Sequence, residues 1–301
     1  TSWRAGLASG SVAECASRGG GVGGSGRSAC PHRRSASPGW MRELNCKGWE
    51  FFPFDEALAE WVENVASEAL RCAGDPDLQR QWLRHGRTWF AGVNLLPNDA
   101  AGCVGNSGPM PGRAVEVAEA VCGKLPWDAG QVSVVYPGYP KRDASESEAN
   151  HRYRCRRDAA HVDGLLPEGP QRRRFIRETH AFILGVPFTD CGPGASPMVV
   201  WEGSHEIIRG ALRDALSGHD PESWPDVDVT DAYHAARKQV FSTCRRVEVP
   251  AIPGETYLVH RLSLHGVVPW TNKTATSSEG RGILYFRPEL PGTVADWLGD
   301  R

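Results

Sequence analysis

The stretch Pro253-Gly254-Glu255-Thr256-Tyr257-Leu258-Val259-His260-Arg261-Leu262-Ser263-Leu264-His265-Gly266 reads as a turn, a strand, a second turn and the opening of another strand. Pro-Gly is turn chemistry, and Thr256 to His260 is the β-branched and aromatic run expected of a buried strand. Outward from it, the chain from residue 126 on is a succession of short runs rich in Val, Ile, Phe and Tyr: Gln131 to Tyr136, His180 to Phe188, Met198 to Trp201, Arg246 to Val249 and Gly282 to Phe286. Pro137-Gly138 and Gly192-Pro193-Gly194 punctuate them. Many short strands separated by Pro/Gly turns predict a β-sandwich or jelly roll, interrupted by a helical insertion from Ser204 to about Ala236.

Ahead of these strands the period changes to that of a helix. Asp55 is placed to cap a helix whose apolar stripe is Leu58, Trp61, Val62, Val65 and Ala69, and further helical turns follow at Leu78 to Leu83 and Val115 to Val121. We expect one domain over residues 41–301, with a helical layer at 41–125 and a jelly-roll core at 126–290. Residues 1–40 form a Gly/Ser-rich, Arg-bearing tract with the single acid Glu14, which cannot bury enough apolar surface to fold, and we expect a disordered or non-native extension.

The chemistry-bearing residues fall within the strand-rich half. In His161-Val162-Asp163 an imidazole and a carboxylate stand two residues apart, so in an extended strand they project from one face and can share a metal. Taken alone the pair is weak, because Asp163-Gly164 also reads as a surface turn. His265 is the candidate third ligand; His260, five residues earlier, competes for that role, but the intervening turn and Gly266 favour His265. Two imidazoles and one carboxylate occupy one face of an octahedron and leave the opposite face open, which suits non-haem Fe(II) oxygen chemistry. Arg281 opens the last strand after a polar loop; its planar guanidinium can hold a carboxylate through two parallel hydrogen bonds, although an isolated Arg there would read as an edge charge.

Composition excludes several classes. With 40% hydrophobic and 23% charged residues the chain is of ordinary globular type, and a net charge of -2 provides no global basic field for nucleic acid. Without the first 40 residues, 29 basic side chains face 35 acidic ones, so any basic site must be local. No apolar run approaches the about 20 residues needed to span a bilayer. Nine cysteines, without a CxxC pair, read as reduced thiols, and a cytoplasmic location is expected.

Taken in order, these residues resemble the phytanoyl-CoA dioxygenase family within the Fe(II)/2-oxoglutarate oxygenases. The matching features are Gln131 and Tyr136 before a Pro-Gly turn, His161-Val162-Asp163-Gly164, Trp201-Glu202-Gly203-Ser204-His205, and the Pro-Gly-Glu run into His265-Gly266 followed by Arg281, together spanning roughly residues 125 to 290. The resemblance implies a mainly β fold with flanking helices, a double-stranded β-helix (jelly roll, cupin-like). His161, Asp163 and His265 would bind Fe(II), while Arg281, with Tyr136 nearby, would bind 2-oxoglutarate, and the activity would be hydroxylation with O2. The family's hydroxyl residue two positions after the distal His is here Val267, which leaves Thr274, Thr276 or Ser278 to assist Arg281.

The segment from His151 to Arg177 carries eight arginines, at 152, 154, 156, 157, 172, 173, 174 and 177, around the metal pair. It is consistent either with an anionic small-molecule substrate (a carboxylate, phosphate or acyl-CoA ester) or with a surface paired to the chain's own acids. Two other readings stand beside the oxygenase: a cupin-type metalloenzyme without 2-oxoglutarate, and a non-catalytic relative that keeps the fold as a binding module. The His-x-Asp pattern departs from the cupin His-x-His, and the intact ligand set argues against decay.

Overall fold

The computed structural model describes residues 44–271 and 280–299; the expected N-terminal extension and the loop bearing Thr274, Thr276 and Ser278 lie outside these. In chain order the elements are β1 (Trp49–Phe52), α1 (Glu56–Gly74), α2 (Pro76–Trp82), β2 (Leu83–Arg84), β3 (Trp89–Gly92), α3 (Arg113–Cys122), β4 (Gln131–Val135) and α4 (Glu148–Arg157). These are followed by β5 (Leu165–Glu168), β6 (Arg173–Ile176), β7 (Phe182–Pro187), β8 (Met198–Trp201), α5 (Ser204–Leu216) and α6 (Thr230–Thr243). The chain then runs through β9 (Arg246–Val249), β10 (Thr256–His260), β11 (His265–Val267), β12 (Arg281–Phe286) and α7 (Val294–Trp297).

Seven strands form one sheet in the order β1-β10-β7-β12-β4-β3-β2, and β11-β8-β9 form a second. Every pairing in both is antiparallel. Side-chain alternation shows how the sheets stack. Ile183, Tyr257, Val259 and Ile283 of the large sheet meet Met198, Val200 and Val249 of the small one in a shared cluster. Their strand neighbours Leu184, Leu258, Leu284 and Phe286 point the other way, into a core with α1 and α3. Two sheets packed face to face with helices outside make the jelly roll expected, and burial on both faces explains why its strands read as unbroken apolar runs.

The helical layer forms for local reasons. Asp55 Oδ1 accepts from Leu58 N at 3.1 Å, capping α1, and Leu58, Trp61, Val62, Val65 and Ala69 all lie buried along one stripe. The insertion runs past the expected end, to Thr243: α5 and α6 pack Ile208, Leu212, Tyr233 and Val240 over Val199 and Trp201 on the outer face of the small sheet.

Several elements escape sequence pattern, β2, β3 and α7 among them. β1 is the edge strand paired with β10, and the β5–β6 hairpin sits in an Arg-rich stretch. Helix α4 (EANHRYRCRR) has no apolar stripe; Ser147 caps it at the Asn150 amide, and an Arg154–Glu146 ion pair of 2.7 Å packs it down.

Candidate metal centre

His161 and His265 lie opposite one another where two chain segments meet edge to edge. The His161 N–H donates to His265 O (2.8 Å) and the His265 N–H to His161 O (3.0 Å), a reciprocal antiparallel pair. Their rings are 4.5 Å apart. Asp163, two residues on, brings Oδ1 to 3.3 Å from His161 Nε2 and 3.8 Å from His265 Nε2. One ligand atom from each of the three lies within 4.8 Å of the others.

Two glycines permit this approach. Gly164 has φ +83, and a Cβ there would lie 2.1 Å from Glu178 O. At Gly266 a Cβ would lie 2.2 Å from Asp158 O, where the chain before His161 passes. Neither position tolerates a side chain. Residues beyond the triad hold the backbone: Arg246 grips Asp158 with two hydrogen bonds (2.7 and 3.0 Å), Val162 N donates to Tyr233 Oη of α6 (3.2 Å), and Leu264 N donates to Ser204 Oγ (2.9 Å). The Gly-Ser-His element thus acts through Ser204, beside His265. His205 turns to the Asn45 carbonyl instead.

The protonation state suits a cation. His161 Nδ1 sits 3.0 Å from Ala159 O and His265 Nδ1 2.9 Å from Ser263 O; each carbonyl fixes the proton on Nδ1 and leaves Nε2 as a lone-pair donor toward Asp163. Burial, with His161 alongside, drives the His265 pKa down to about 4. Burial would by itself raise that of Asp163, but Arg287 and then the two imidazoles hold its carboxyl well below the usual carboxylate range. Near neutral pH Asp163 is therefore a carboxylate and His265 a neutral imidazole.

Arg287, just past the end of β12, adds a cationic partner to Asp163. Its Nη1 meets Asp163 Oδ2 at 3.3 Å, its Nη2 meets Gln131 Oε1 at 2.5 Å, and its backbone N–H donates to Asp128 Oδ1 at 2.7 Å. It thereby occupies one carboxylate oxygen and leaves Oδ1 facing the imidazoles. Arg281 stands on the same inward face of β12. It is 5% exposed, its Nη1 donates to Ser196 O at 2.7 Å, and its Nη2 is buried without a hydrogen-bond partner.

That nitrogen therefore has a hydrogen bond left to give. Arg281 does not itself line the metal cleft. It contacts Tyr257, whose hydroxyl donates to that of Tyr285, a cleft-wall residue, at 3.2 Å. Tyr136 takes the other direction, because alternation along β4 aims it outward to pack against the core under the helical layer, away from His161, Asp163 and His265. His260 is not with the triad either: its Nδ1 accepts from Leu262 N, and its ring lies 4.8 Å from that of His205.

The triad opens into a cleft walled by Trp89, Tyr139, Met198, Val267 and Tyr285 among others. Of the eight arginines between 152 and 177, only Arg154 reaches it. Arg173 pairs with Asp228 and Asp231, and Arg177 with Glu168 and Asp226. Arg157 lies over the Phe241 ring at 4.6 Å.

Behind the cleft wall, burial and then Arg154 push the His85 pKa from its ordinary 6.5 down to about 3. An unfolded chain takes up this proton below about pH 6.5, while the folded one does not, so the contribution to stability is lost as pH falls from about 6.5 toward 3. We expect the slope of unfolding free energy between about pH 7 and pH 5 to flatten in His85→Phe by up to about 1.4 kcal/mol per pH unit. Denaturant titration at both pH values measures it, and an unchanged slope would contradict the assignment.

No protein-family model matches the chain, and neither does any curated protein. Among solved structures it is similar to SnoN, a non-heme alpha-ketoglutarate-dependent epimerase from nogalamycin biosynthesis, at 16% identity over 82% of this chain and 80% of that one, TM-score 0.47. It is also similar to EctD from S. alaskensis solved with 2-oxoglutarate and 5-hydroxyectoine (15%; 81% and 73%; TM-score 0.44). A further match is the non-heme monooxygenase ThoJ in its nickel complex (16%; 83% and 76%; TM-score 0.41). At this level the likeness assigns no activity to this chain.

Proposed function

We propose that the chain is an Fe(II)- and 2-oxoglutarate-dependent oxygenase, related to the phytanoyl-CoA dioxygenases, that hydroxylates a small organic molecule. The observation that carries this is the convergence of His161 Nε2, His265 Nε2 and Asp163 Oδ1 within 4.8 Å, on one side of an open cleft. Two imidazole nitrogens and one carboxylate oxygen are the donor set that suits ferrous iron with open positions. The unpartnered Nη2 of Arg281 fits the distal carboxylate of 2-oxoglutarate. When bound, iron and 2-oxoglutarate supply oxidation of a C–H bond by O2, with 2-oxoglutarate converted to succinate and CO2.

The chain's own groups do the rest. Ala159 O and Ser263 O orient the two imidazoles, and Arg287 holds Asp163 by one oxygen so that the other faces them. Tyr257, Tyr285 and Met198 pack together between the two sheets, and Met198 and Tyr285 give the cleft an apolar wall. The cupin alternative lacks any use for a buried unpartnered arginine, and a non-catalytic relative has no need for ligands oriented in this way.

Anaerobic addition of Fe(II) and then 2-oxoglutarate should give the weak visible charge-transfer band of a chelated 2-oxo acid. With O2, chloride and a turnover-competent substrate, succinate should form together with one labelled oxygen from O2 in the product. Because Asp163 fills the position a halide would need, a chlorinated product would overturn the hydroxylase reading. Absence of the band at saturating iron would overturn the oxygenase reading itself.

A further inference from the structure

We propose that the molecule this site accepts is a neutral, ring-bearing one seated against Trp89, rather than an anion. The inference takes its chemistry from the oxygenase reading, but its binding surface stands on separate residues.

The first observation is charge. Among the described residues, the arginines on the cleft wall are Arg154 and Arg287. Arg287 is committed to Asp163. Arg154 Nη2 lies 2.7 Å from Glu146 Oε1, with side chains only 4% and 7% exposed, so its charge is cancelled by a carboxylate that shares its burial. An arriving anion would have to share Arg154 with Glu146 at close range and in a poorly screened interior, where like charges repel strongly. Among the described residues, then, both arginines on the cleft wall already face a carboxylate of the chain itself.

The second observation is a fixed aromatic surface. The Trp89 ring stacks on His85, with centroids 5.6 Å apart and planes 8° from parallel, and its indole N–H donates to Ser133 Oγ at 2.9 Å. Tyr139 meets the His85 ring edge-on, at 6.0 Å and 66°. The indole is clamped from behind and at its edge, and it lines the cleft that also holds His161, Asp163 and His265. His85 lends the stack no charge, since burial keeps its proton off. A ring held in place loses little freedom when another ring stacks on it, so it favours flat, apolar ligands at low entropic cost. Val267, Met198 and Tyr285 continue the apolar wall.

The matched probes 2-naphthamide and 2-naphthoate separate the two possibilities by calorimetry on Ni(II)-loaded, 2-oxoglutarate-saturated protein. The amide should bind at least about tenfold more tightly than the acid, given the charge pairing. Trp89→Leu, which keeps bulk without the π face, should raise the amide Kd by about fivefold to tenfold, and Trp89→Phe should restore most of it. The double variant Glu146→Gln with Arg154→Gln should leave the amide Kd within about threefold, since a neutral ligand does not use the pair.

The proposal is overturned if the acid binds more tightly and is lost in Arg154→Gln. It is equally overturned if neither probe binds, or if Trp89→Leu has no effect in protein whose circular dichroism is native. Amide binding to Trp89 in protein that forms no metal–2-oxoglutarate complex would sink the oxygenase reading and leave this one standing. The complex forming with the acid preferred would do the reverse.

Discussion

His265→Ala should lose saturable metal binding, with affinity for Co(II) or Ni(II) falling by more than about 100-fold, beyond the range of about 10- to 100-fold found when only an outer contact of a ligand is removed. His161→Ala and Asp163→Ala should do the same, because each supplies one of three converging atoms. Arg287→Met is the graded control. It leaves all three ligands but frees Asp163 Oδ2, and should fall inside the outer-contact range. Titration followed by the visible spectrum of Co(II) reads all four variants without turnover. Native affinity in His265→Ala would show that the distal ligand lies elsewhere.

Arg281→Ala should separate the co-substrate from the metal. Removing one partner of a buried, charge-assisted pair costs about 2–5 kcal/mol, so 2-oxoglutarate affinity should drop by about 30-fold or more while metal affinity changes by less than about threefold. The charge-transfer band, titrated with 2-oxoglutarate at fixed Fe(II), measures this directly. Arg281→Lys should recover only part, since an ammonium keeps the charge without the two parallel donors. Unaltered 2-oxoglutarate binding in Arg281→Ala would leave its buried Nη2 without an explanation.

Sequence carries some of these features and hides others for physical reasons. Strands β8, β9 and β10 have the bounds their composition predicts; MVVW and TYLVH are buried on both faces and end at turn residues, whereas β9, an edge strand, is buried only at Val249. The capped α1 is equally legible, since Asp55 and the stripe from Leu58 to Ala69 are local signals. Helix α4 is not, because its stability comes from an ion pair to Glu146 rather than from a periodic apolar face.

At the site, His161 and Asp163 can be paired on paper because they are two residues apart, although the structure makes only an isolated β-bridge at His161, with Asp163 in a turn, instead of the expected strand. The contact of Arg287 with Asp163 spans 124 positions and depends on sheet order, which no local pattern encodes. Tyr136 was misdirected for a related reason: β4 is buried on both sides, so composition gives no clue to which of its alternate residues look inward. The arginine cluster shows the same limit, as charge density along the chain says nothing of whether acids from Glu168, Asp226, Asp228 and Asp231 fold back to meet it.

The reciprocal backbone pair between His161 and His265 makes the centre a socket rather than a hinge. Its two N–H···O bonds of 2.8 and 3.0 Å are made by the main chain, so neither depends on what the imidazoles hold. A chelator should thus strip the ion without unravelling the strands around it, and reloading should proceed at the pace of ion arrival instead of the pace of refolding. Damage at this centre would then be repaired by supply alone, and the same chain could serve through many cycles of loss and replenishment.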